Sequence, residues 1–383
     1  IYKNEIVRLT MKYILLYFPY ELGDLESGSG VRPIKIAKYF KQYFTDSNIS
    51  VLIIKGERNE RKQKINELIK NLHPNDILFC YIENSTMPIW FTDRDHIPRN
   101  PFIDLKLFKF LKKYKIPTGL FYRDIYWKFK EEYPVKGFKR FLLINLYKLE
   151  LFIYKKYITH FFIPSIYMNK YVGFKSDRVT ALPPGGEIVY NHSHYVEPIS
   201  KDEYNAVYVG GISERYGLKD MLIAFNQVNN MGYKINLHLV CRRDEFINQQ
   251  AILSSYLSSD WLHIYHVSGE DLQSVYTKAD FSIIPIKVNE YNDFAVPVKL
   301  FEYLSYELPV LATNCRAQKE IIENDDLGLI VKSNPEDIAQ GIIQIANPSN
   351  LLKYKKNIKN FMVQKGTWLH RVKTIYEVLD GYR

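Results

Sequence analysis

Short apolar runs recur along this chain, each followed by a longer segment whose apolar positions return every three or four residues. In the first half the runs fall at 13–18, 50–54, 76–82, 117–122, 157–163 and 178–182. In the second they fall at 206–210, 234–240, 262–265, 280–285, 309–313 and 328–331. Runs this short, without polar alternation, read as strands buried on both faces, and the periodic segments between them read as amphipathic helices. One strand and one helix recur every ~25–35 residues, the size of a βα unit. The expected class is therefore α/β, with parallel sheets covered by helices. The two series are not sequence repeats of one another.

Pro183-Pro184-Gly185-Gly186, a strong turn signal, and a polar stretch reaching to Tyr204 separate the two series. A chain of 383 residues is too long for one ordinary core and suits two. We place a first domain at 1–185, a second at 186–360 and a closing segment at 361–383. In that last segment GTWLHRVKTIYEVL sets apolar residues at helical spacing around Trp368.

Composition adds a location. Cys80, Cys241 and Cys315 are far apart, so no disulfide framework or metal-ligand spacing follows, and a reducing cytoplasm is the expected setting. No apolar run approaches the ~20 residues that span a bilayer. The opening IYKNEIVRLTMKYILLYF lacks a small-residue cleavage site, so its apolar part reads as the first strand.

The net charge of +10 is uneven: residues 1–190 carry 32 Lys and Arg against 19 Asp and Glu, and residues 191–383 carry 20 against 23. Such asymmetry points to a polyanionic surface facing the first half, either nucleic acid or an anionic membrane leaflet, with a merely solvated basic surface as the plain alternative. No nucleic-acid-binding motif appears, and the second half is acidic, so nucleic acid is not an expected partner. Residues 136–157, KGFKRFLLINLYKLELFIYKKY, have the basic, aromatic and apolar composition of a helix lying on an anionic leaflet. Residues 105–115, LKLFKFLKKYK, add to it. The other reading of 136–157 is a core helix whose lysines snorkel. A peripheral place on the inner face of the cell membrane is expected.

Three segments of the second half carry chemistry. PVKLFEYLSYELPVLAT (297–313) reads Pro297-x-Lys299-x-x-Glu302-Tyr303, half a helix, then a buried strand, with Lys299 and Glu302 on one helix face. VYVGGISERYGLKDMLIAF (207–225) reads strand, glycine turn at Gly210 and Gly211, then amphipathic helix, with Arg215 near the helix start. A helix N-terminus with a cation beside it stabilises a diphosphate. HIYHVSGEDLQSVYTKADFSIIPI (263–286) holds Ser268 and Asp271 at the spacing of a capping box, then a strand ending in Pro285.

Together these segments resemble the sugar-nucleotide half of GT-B fold glycosyltransferases, especially glycosyltransferase family 4 (group 1), and the resemblance extends over essentially the whole chain. It implies two Rossmann-like parallel-sheet domains facing each other across a cleft, entered through the Pro-x-Gly turn, with the Trp-bearing last helix crossing back onto the first domain. It implies that Glu302 hydrogen-bonds the donor ribose and that Lys299 meets the departing diphosphate; Arg215, one residue from the usual basic position, is the candidate second cation for that diphosphate, or else a solvated loop arginine. Gly210, Gly211 and the loop of Phe294, Ala295, Val296 and Pro297 would lie against sugar and phosphates, with Val267 and Ser268 facing the nucleobase through their backbones. Arg242, with Arg243, stands at a strand's carboxyl edge, where it touches phosphate or caps the edge. His266 reads as a loop histidine. Three positions depart from the family pattern: Gly211 stands where Arg is usual, Tyr216 where Lys is usual, and Phe294 where the first acid of a Glu-x7-Glu motif is usual. Asp293 is adjacent, but would need a shifted loop.

In the first half, Gly28 and Gly30 allow close backbone approach at a helix start. Pro33 stands where a dinucleotide fingerprint needs its third glycine. Arg32 is a candidate for an acceptor phosphate, or else a solvated arginine. Tyr122, Arg123 and Asp124 end a predicted strand and are candidate acceptor contacts. Asp124 is placed to take or orient the proton of the acceptor hydroxyl, unless it forms an ion pair with Arg123. No hydrolase triad, Walker loop or Asp-x-Asp metal motif is present, and neither cofactor nor metal is implied, the nucleotide sugar being a co-substrate.

The expected activity is transfer of a sugar, with retention, from a nucleotide-diphosphate sugar to a hydroxyl of a glycan acceptor carried on a polyprenyl diphosphate. Two alternatives stay open: an inverting enzyme with Asp124 or Glu83 as base, and a non-catalytic subunit supporting a partner transferase.

Overall fold

The computed structural model describes residues 11–23, 28–189 and 201–383, so the polar stretch expected between the domains lies mostly outside the described residues. The chain divides into two compact units, Ile1–Pro183 with Trp368–Arg383, and Pro184–Thr367.

In the first unit β1 (Lys12–Tyr17), α1 (Gly28–Tyr43), β2 (Ile49–Ile54), α2 (Arg58–Asn71), β3 (Ile77–Glu83) and α3 (Ile103–Lys113) alternate in order. They are followed by β4 (Thr118–Phe121), α4 (Gly137–Tyr157), β5 (His160–Ile163), the short α5 (Asn169–Val172) and β6 (Val179–Ala181). The strands form one parallel sheet in the order β2-β1-β3-β4-β5-β6. The strand expected at 157–163 begins three residues late because α4 runs on through Tyr157. Ile158, buried at the helix end, donates its N–H to Tyr154 O at 2.9 Å before the chain extends.

The second unit contains β7 (Tyr204–Val209), α6 (Leu218–Asn230), β8 (Ile235–Val240), α7 (Arg243–Asn248), α8 (Gln250–Leu253), β9 (Leu262–Tyr265) and α9 (Gly269–Lys278). It continues through β10 (Phe281–Ile284), α10 (Val298–Ser305), β11 (Val310–Thr313), α11 (Arg316–Asn324), β12 (Gly328–Val331), α12 (Pro335–Ile345) and α13 (Pro348–Phe361). Its sheet, also parallel, runs β12-β11-β10-β7-β8-β9. All twelve expected strands are present, and the α/β class with two Rossmann-like sheets holds.

After α13 a wide π turn (Met362–Gly366) leads to α14 (Trp368–Asp380), which belongs to the first unit. Trp368, Val372, Ile375 and Leu379 join the core that contains Phe40 of α1 and Phe79 and Tyr81 of β3. Within the second unit the entering and leaving segments meet: Gly186 bridges Thr367, and its N–H reaches Gly366 O at 2.9 Å. A Cβ at Gly186 would sit 2.7 Å from Phe301 O, so this approach requires glycine.

Two features of the first unit bear on function. Fully buried Arg58 and Arg61 of α2 face buried Asp93 and Asp104. Arg58 Nη1 lies 3.4 Å and Arg61 Nη2 3.6 Å from the Asp104 carboxylate, which also accepts the Tyr17 hydroxyl. The Asp93 carboxylate accepts the backbone N–H of Arg58 at 2.9 Å, and Arg58 donates to the carbonyls of Ile89 and Asn100. This cluster fastens the loop between β3 and α3 onto α2.

The second feature is α4, whose buried face is Leu143, Tyr147, Leu151 and Tyr154. On the opposite side Phe138, Phe141, Leu142, Leu149 and Phe152 are 79%, 65%, 48%, 47% and 63% exposed, at helical spacing. A core helix with snorkelling lysines would have buried these side chains. The one acid of α4, Glu150, is buried; it accepts Ile89 N–H and the Tyr154 hydroxyl, both at 2.9 Å, and burial pushes its carboxyl up to about 8. No described helix is long and apolar enough to cross a membrane.

Candidate functional site

In the second unit Pro297 caps the start of α10, and the first turns of that helix bring Lys299 and Glu302 together at 2.5 Å (Nζ to Oε2). The Tyr276 hydroxyl of α9 donates to the same carboxylate oxygen at 3.1 Å. Both partners of the ion pair are about one-third exposed, so the pair is held yet open to solvent. The next residue, Tyr303, points inward. Its buried hydroxyl accepts the N–H of Val209 at 2.8 Å, past the last β7–β10 strand pair. The Glu-Tyr dipeptide thus presents a carboxylate outside and ties α10 to the end of β7 inside.

Beyond that strand end, Gly210 N–H reaches Val240 O at 3.0 Å. A Cβ at Gly211 would fall 2.5 Å from Cε2 and 2.9 Å from Cδ2 of Tyr216. The two departures from the family pattern are therefore one: the Tyr216 ring fills the space a side chain at 211 would need. Gly211→Arg alone is expected to destabilise the unit by about 1–3 kcal/mol through overpacking, and Tyr216→Lys in the same chain to recover most of that loss. A double-mutant cycle on thermal unfolding measures the coupling; strictly additive effects would show that the two positions share no space.

Arg215, in the turn Glu214–Tyr216, lies between aromatic rings, its guanidinium carbon 4.7 Å from the Tyr291 ring centre and 5.6 Å from that of Tyr216. Asn292 Oδ1 is 3.5 Å from its Nη2, and Lys287 N–H donates to its carbonyl at 3.1 Å. Nothing in the sequence singled out Tyr291, because contacts between the 210–217 turn and the 287–296 loop follow from sheet order and not from spacing.

Asp293 does not stand in for the missing family acid. Its carboxylate accepts the backbone N–H of Arg316 at 2.8 Å and the Arg316 side chain, capping α11. Phe294 is buried, edge-on to Tyr291 at 5.3 Å, leaving Ala295, Val296 and Pro297 as the half-buried part of that loop.

Val267 and Ser268 follow β9, with Ser268 exposed at the start of α9. The expected capping box is not formed: the Ser268 side chain makes no cap bond, because α9 opens on Gly269 at φ 58°, which turns the first amides away. His266 is a structural loop residue, Nδ1 2.9 Å from Cys241 O. Arg242 is exposed just past β8 and precedes α7. A carboxylate that sequence reasoning missed, Glu245 of α7, accepts Ile212 N–H at 3.1 Å and braces the glycine turn.

The first unit requires corrections. Arg32 is no solvated or phosphate-seeking arginine. It is buried, its Nε 3.1 Å from Glu83 Oε1, its Nη1 donating to Leu182 O at 3.2 Å, and its guanidinium 3.5 Å from the Phe121 ring centre. Arg371 of α14, also buried, is pushed down to about 9 by burial and by the charge of Arg32. Tyr122 is likewise a core residue, its ring packed against Tyr154 and Phe174, and not an acceptor contact. Gly28 and Gly30 form the first turn of α1.

Glu83 is fully buried, accepting the Tyr81 hydroxyl at 2.8 Å and lying 3.4 Å from Arg123 Nη2, which donates to the Tyr20 hydroxyl at 2.5 Å. Asp124 Oδ1 accepts the N–H groups of Ile125 and Tyr126 at 2.6 and 3.0 Å, holding the turn Tyr126–Lys128 that follows β4.

Residues 203–347 match the family model described as Glycosyl transferases group 1. No curated protein matches the chain by sequence. Among solved structures the chain is similar to a glycosyltransferase from Rickettsia africae ESF-5, at 14% identity over 97% of this chain and 98% of that one, with a TM-score of 0.61. It is similar to WaaG, a glycosyltransferase involved in lipopolysaccharide biosynthesis, at 14% identity over 96% and 100%, TM-score 0.58. It is also similar to HepE of Anabaena, solved in complex with UDP, at 12% identity over 97% and 100%, TM-score 0.62.

Proposed function

We propose, for a chain that carries the GT-B fold along its length and a group 1 glycosyltransferase match over 203–347, that it moves a sugar from a nucleotide-diphosphate sugar to a hydroxyl of a lipid-linked glycan. The observation that carries this reading is the solvent-accessible, half-buried Lys299–Glu302 pair on the first turns of α10. The Glu302 carboxylate accepts the ribose hydroxyls. Lys299, already oriented by that carboxylate, and Arg215, held by Tyr291, meet the charge that develops on the diphosphate as the bond to the anomeric carbon breaks. The acceptor O–H bond breaks in the same event, its oxygen joins the anomeric carbon, and its proton goes to the departing phosphate oxygen. Attack from the face that the diphosphate leaves gives retention.

A course without a protein base is supported by the placement of the two candidate bases: Glu83 is buried with Arg32 and Arg123 beside it, and Asp124 Oδ1 is engaged by two amides. The exposed apolar stripe of α4, flanked by Lys139, Lys148, Lys155 and Lys156, supports docking of the first unit on an anionic leaflet, where a lipid-linked acceptor resides. Phe294 and the Gly211–Tyr216 pair favour a second reading, a donor-binding subunit without turnover of its own.

The test is thermal stabilisation by UDP, GDP, dTDP, ADP and CMP. At roughly 100-fold its Kd a ligand adds about 2.7 kcal/mol of stability. One nucleotide is expected to shift the transition selectively, with the shift lost in Glu302→Ala. No shift from any of them removes the donor-site assignment, and a shift without sugar transfer selects the second reading.

A further inference from the structure

Between α2 and α3 the first unit has a pocket of about 400 Å³ with no carboxylate in its lining. Two lysines enter it from different helices, and each is aimed by an amide oxygen: Lys62 Nζ donates to Asn100 Oδ1 at 2.9 Å, and Lys106 Nζ to Asn66 Oδ1 at 2.6 Å. An ammonium has three N–H donors, and each of these bonds occupies one. Asn100 is itself fixed. It sits in the left-handed region at φ 46°, its Nδ2 donates to Asn59 Oδ1 at 2.7 Å, and its carbonyl accepts from buried Arg58 at 3.2 Å. Lys62 thus stands on a mount secured by the buried Arg58–Asp104 pair, while Lys106 is steered from the neighbouring helix by Asn66. Beside them Phe102 is 73% exposed.

We infer that this pocket binds a phosphate group, and that the phosphate belongs to the headgroup of an anionic lipid. Two oriented ammonium groups without a balancing acid suit a phosphate monoester or diester. A free phosphate needs no apolar rim, whereas a phosphate at the base of acyl chains is met by one, and Phe102 supplies it. The pocket also lies in the helical layer that carries the α4 stripe. α3 packs against both α2 and α4, and Lys112 of α3 donates to Lys156 O of α4 at 2.7 Å. Lys109, Lys112 and Lys113 are exposed along α3. The inference rests on the membrane-facing reading of α4 and is independent of the donor site.

The experiment compares the full chain, Lys62→Gln/Lys106→Gln, and a charge-matched control, Lys139→Gln/Lys148→Gln. Each is titrated with inorganic phosphate by calorimetry and with phosphatidylcholine vesicles with and without phosphatidylglycerol. Any two surface lysines contribute to vesicle binding through general attraction. The pocket pair is expected to cost about tenfold more in affinity for the anionic vesicles than the control pair, the worth of one charge-assisted hydrogen bond. Phosphate binding is expected to be lost in the pocket pair alone. If phosphate binding is lost there but both pairs weaken vesicle binding equally, the pocket holds a soluble phosphorylated ligand and the lipid source is overturned. Equal losses on vesicles with no phosphate binding to the unmodified chain overturn the site. Stabilisation by the nucleotide that the donor site selects, measured on all three chains, reports that site separately.

Discussion

Arg215→Ala is expected to lower kcat/KM about 100- to 1000-fold, the usual result of removing one donor aimed at charge that develops only in the transition state. The ground-state complex keeps Lys299 and Glu302, so the loss should fall mainly on kcat, with KM changed far less. Arg215→Lys is expected to recover only part of it. The guanidinium is held by its face against Tyr291, 4.7 Å away, and an ammonium on a flexible stem loses that alignment. Tyr291→Ala should fall between the two, because it removes the support and leaves the charge. Steady-state kinetics with the nucleotide sugar selected by thermal shift, together with unchanged unfolding temperatures, provide the check. A kcat within a factor of two of the parent in Arg215→Ala would leave Lys299 as the cation that matters.

Asp104→Ala is expected to cost about 3–5 kcal/mol of stability, because it leaves two buried arginines without their shared carboxylate. Arg58 and Arg61 are both fully buried, and Asp104 lies within 3.6 Å of each. Asp93 is no substitute, being spent on the start of α2 and 4.0 Å from Arg61. Because the same cluster fastens the β3–α3 loop, the variant should also open that loop to protease before the rest of the first unit. Denaturant unfolding of the full chain measures the loss, and the early proteolytic site measures the loop. A change below ~1 kcal/mol would mean that water reaches the cluster and replaces the carboxylate.

The positions of the strands and their alternation with helices were readable from the sequence because parallel α/β strands are buried on both faces and leave uninterrupted apolar runs. All twelve strands follow from those runs. The Lys299–Glu302 pair was readable for a second reason: the two residues are three apart and fall on one helix face. What sequence could not show was burial of charge. Arg32, Glu83 and Arg123 look like site residues by type and position, and only the packing of Phe121, Trp368 and the 182–183 carbonyls around Arg32 makes it a strut. The same limit hid Tyr291, whose loop meets the 210–217 turn from a different βα unit, and the shared space of Gly211 and Tyr216, which arises only when that turn folds on itself.

The first unit is built from both ends of the described chain, with 184 to 367 inserted as the second unit. On a ribosome the inserted unit is complete while the earlier one still lacks Trp368, Val372, Ile375 and Leu379, each at most 2% exposed once in place. Until residue 379 has been made, the groove awaiting that helix exposes apolar surface, including Phe40 and Phe79. Nascent chains of this protein should therefore bind chaperones late in synthesis.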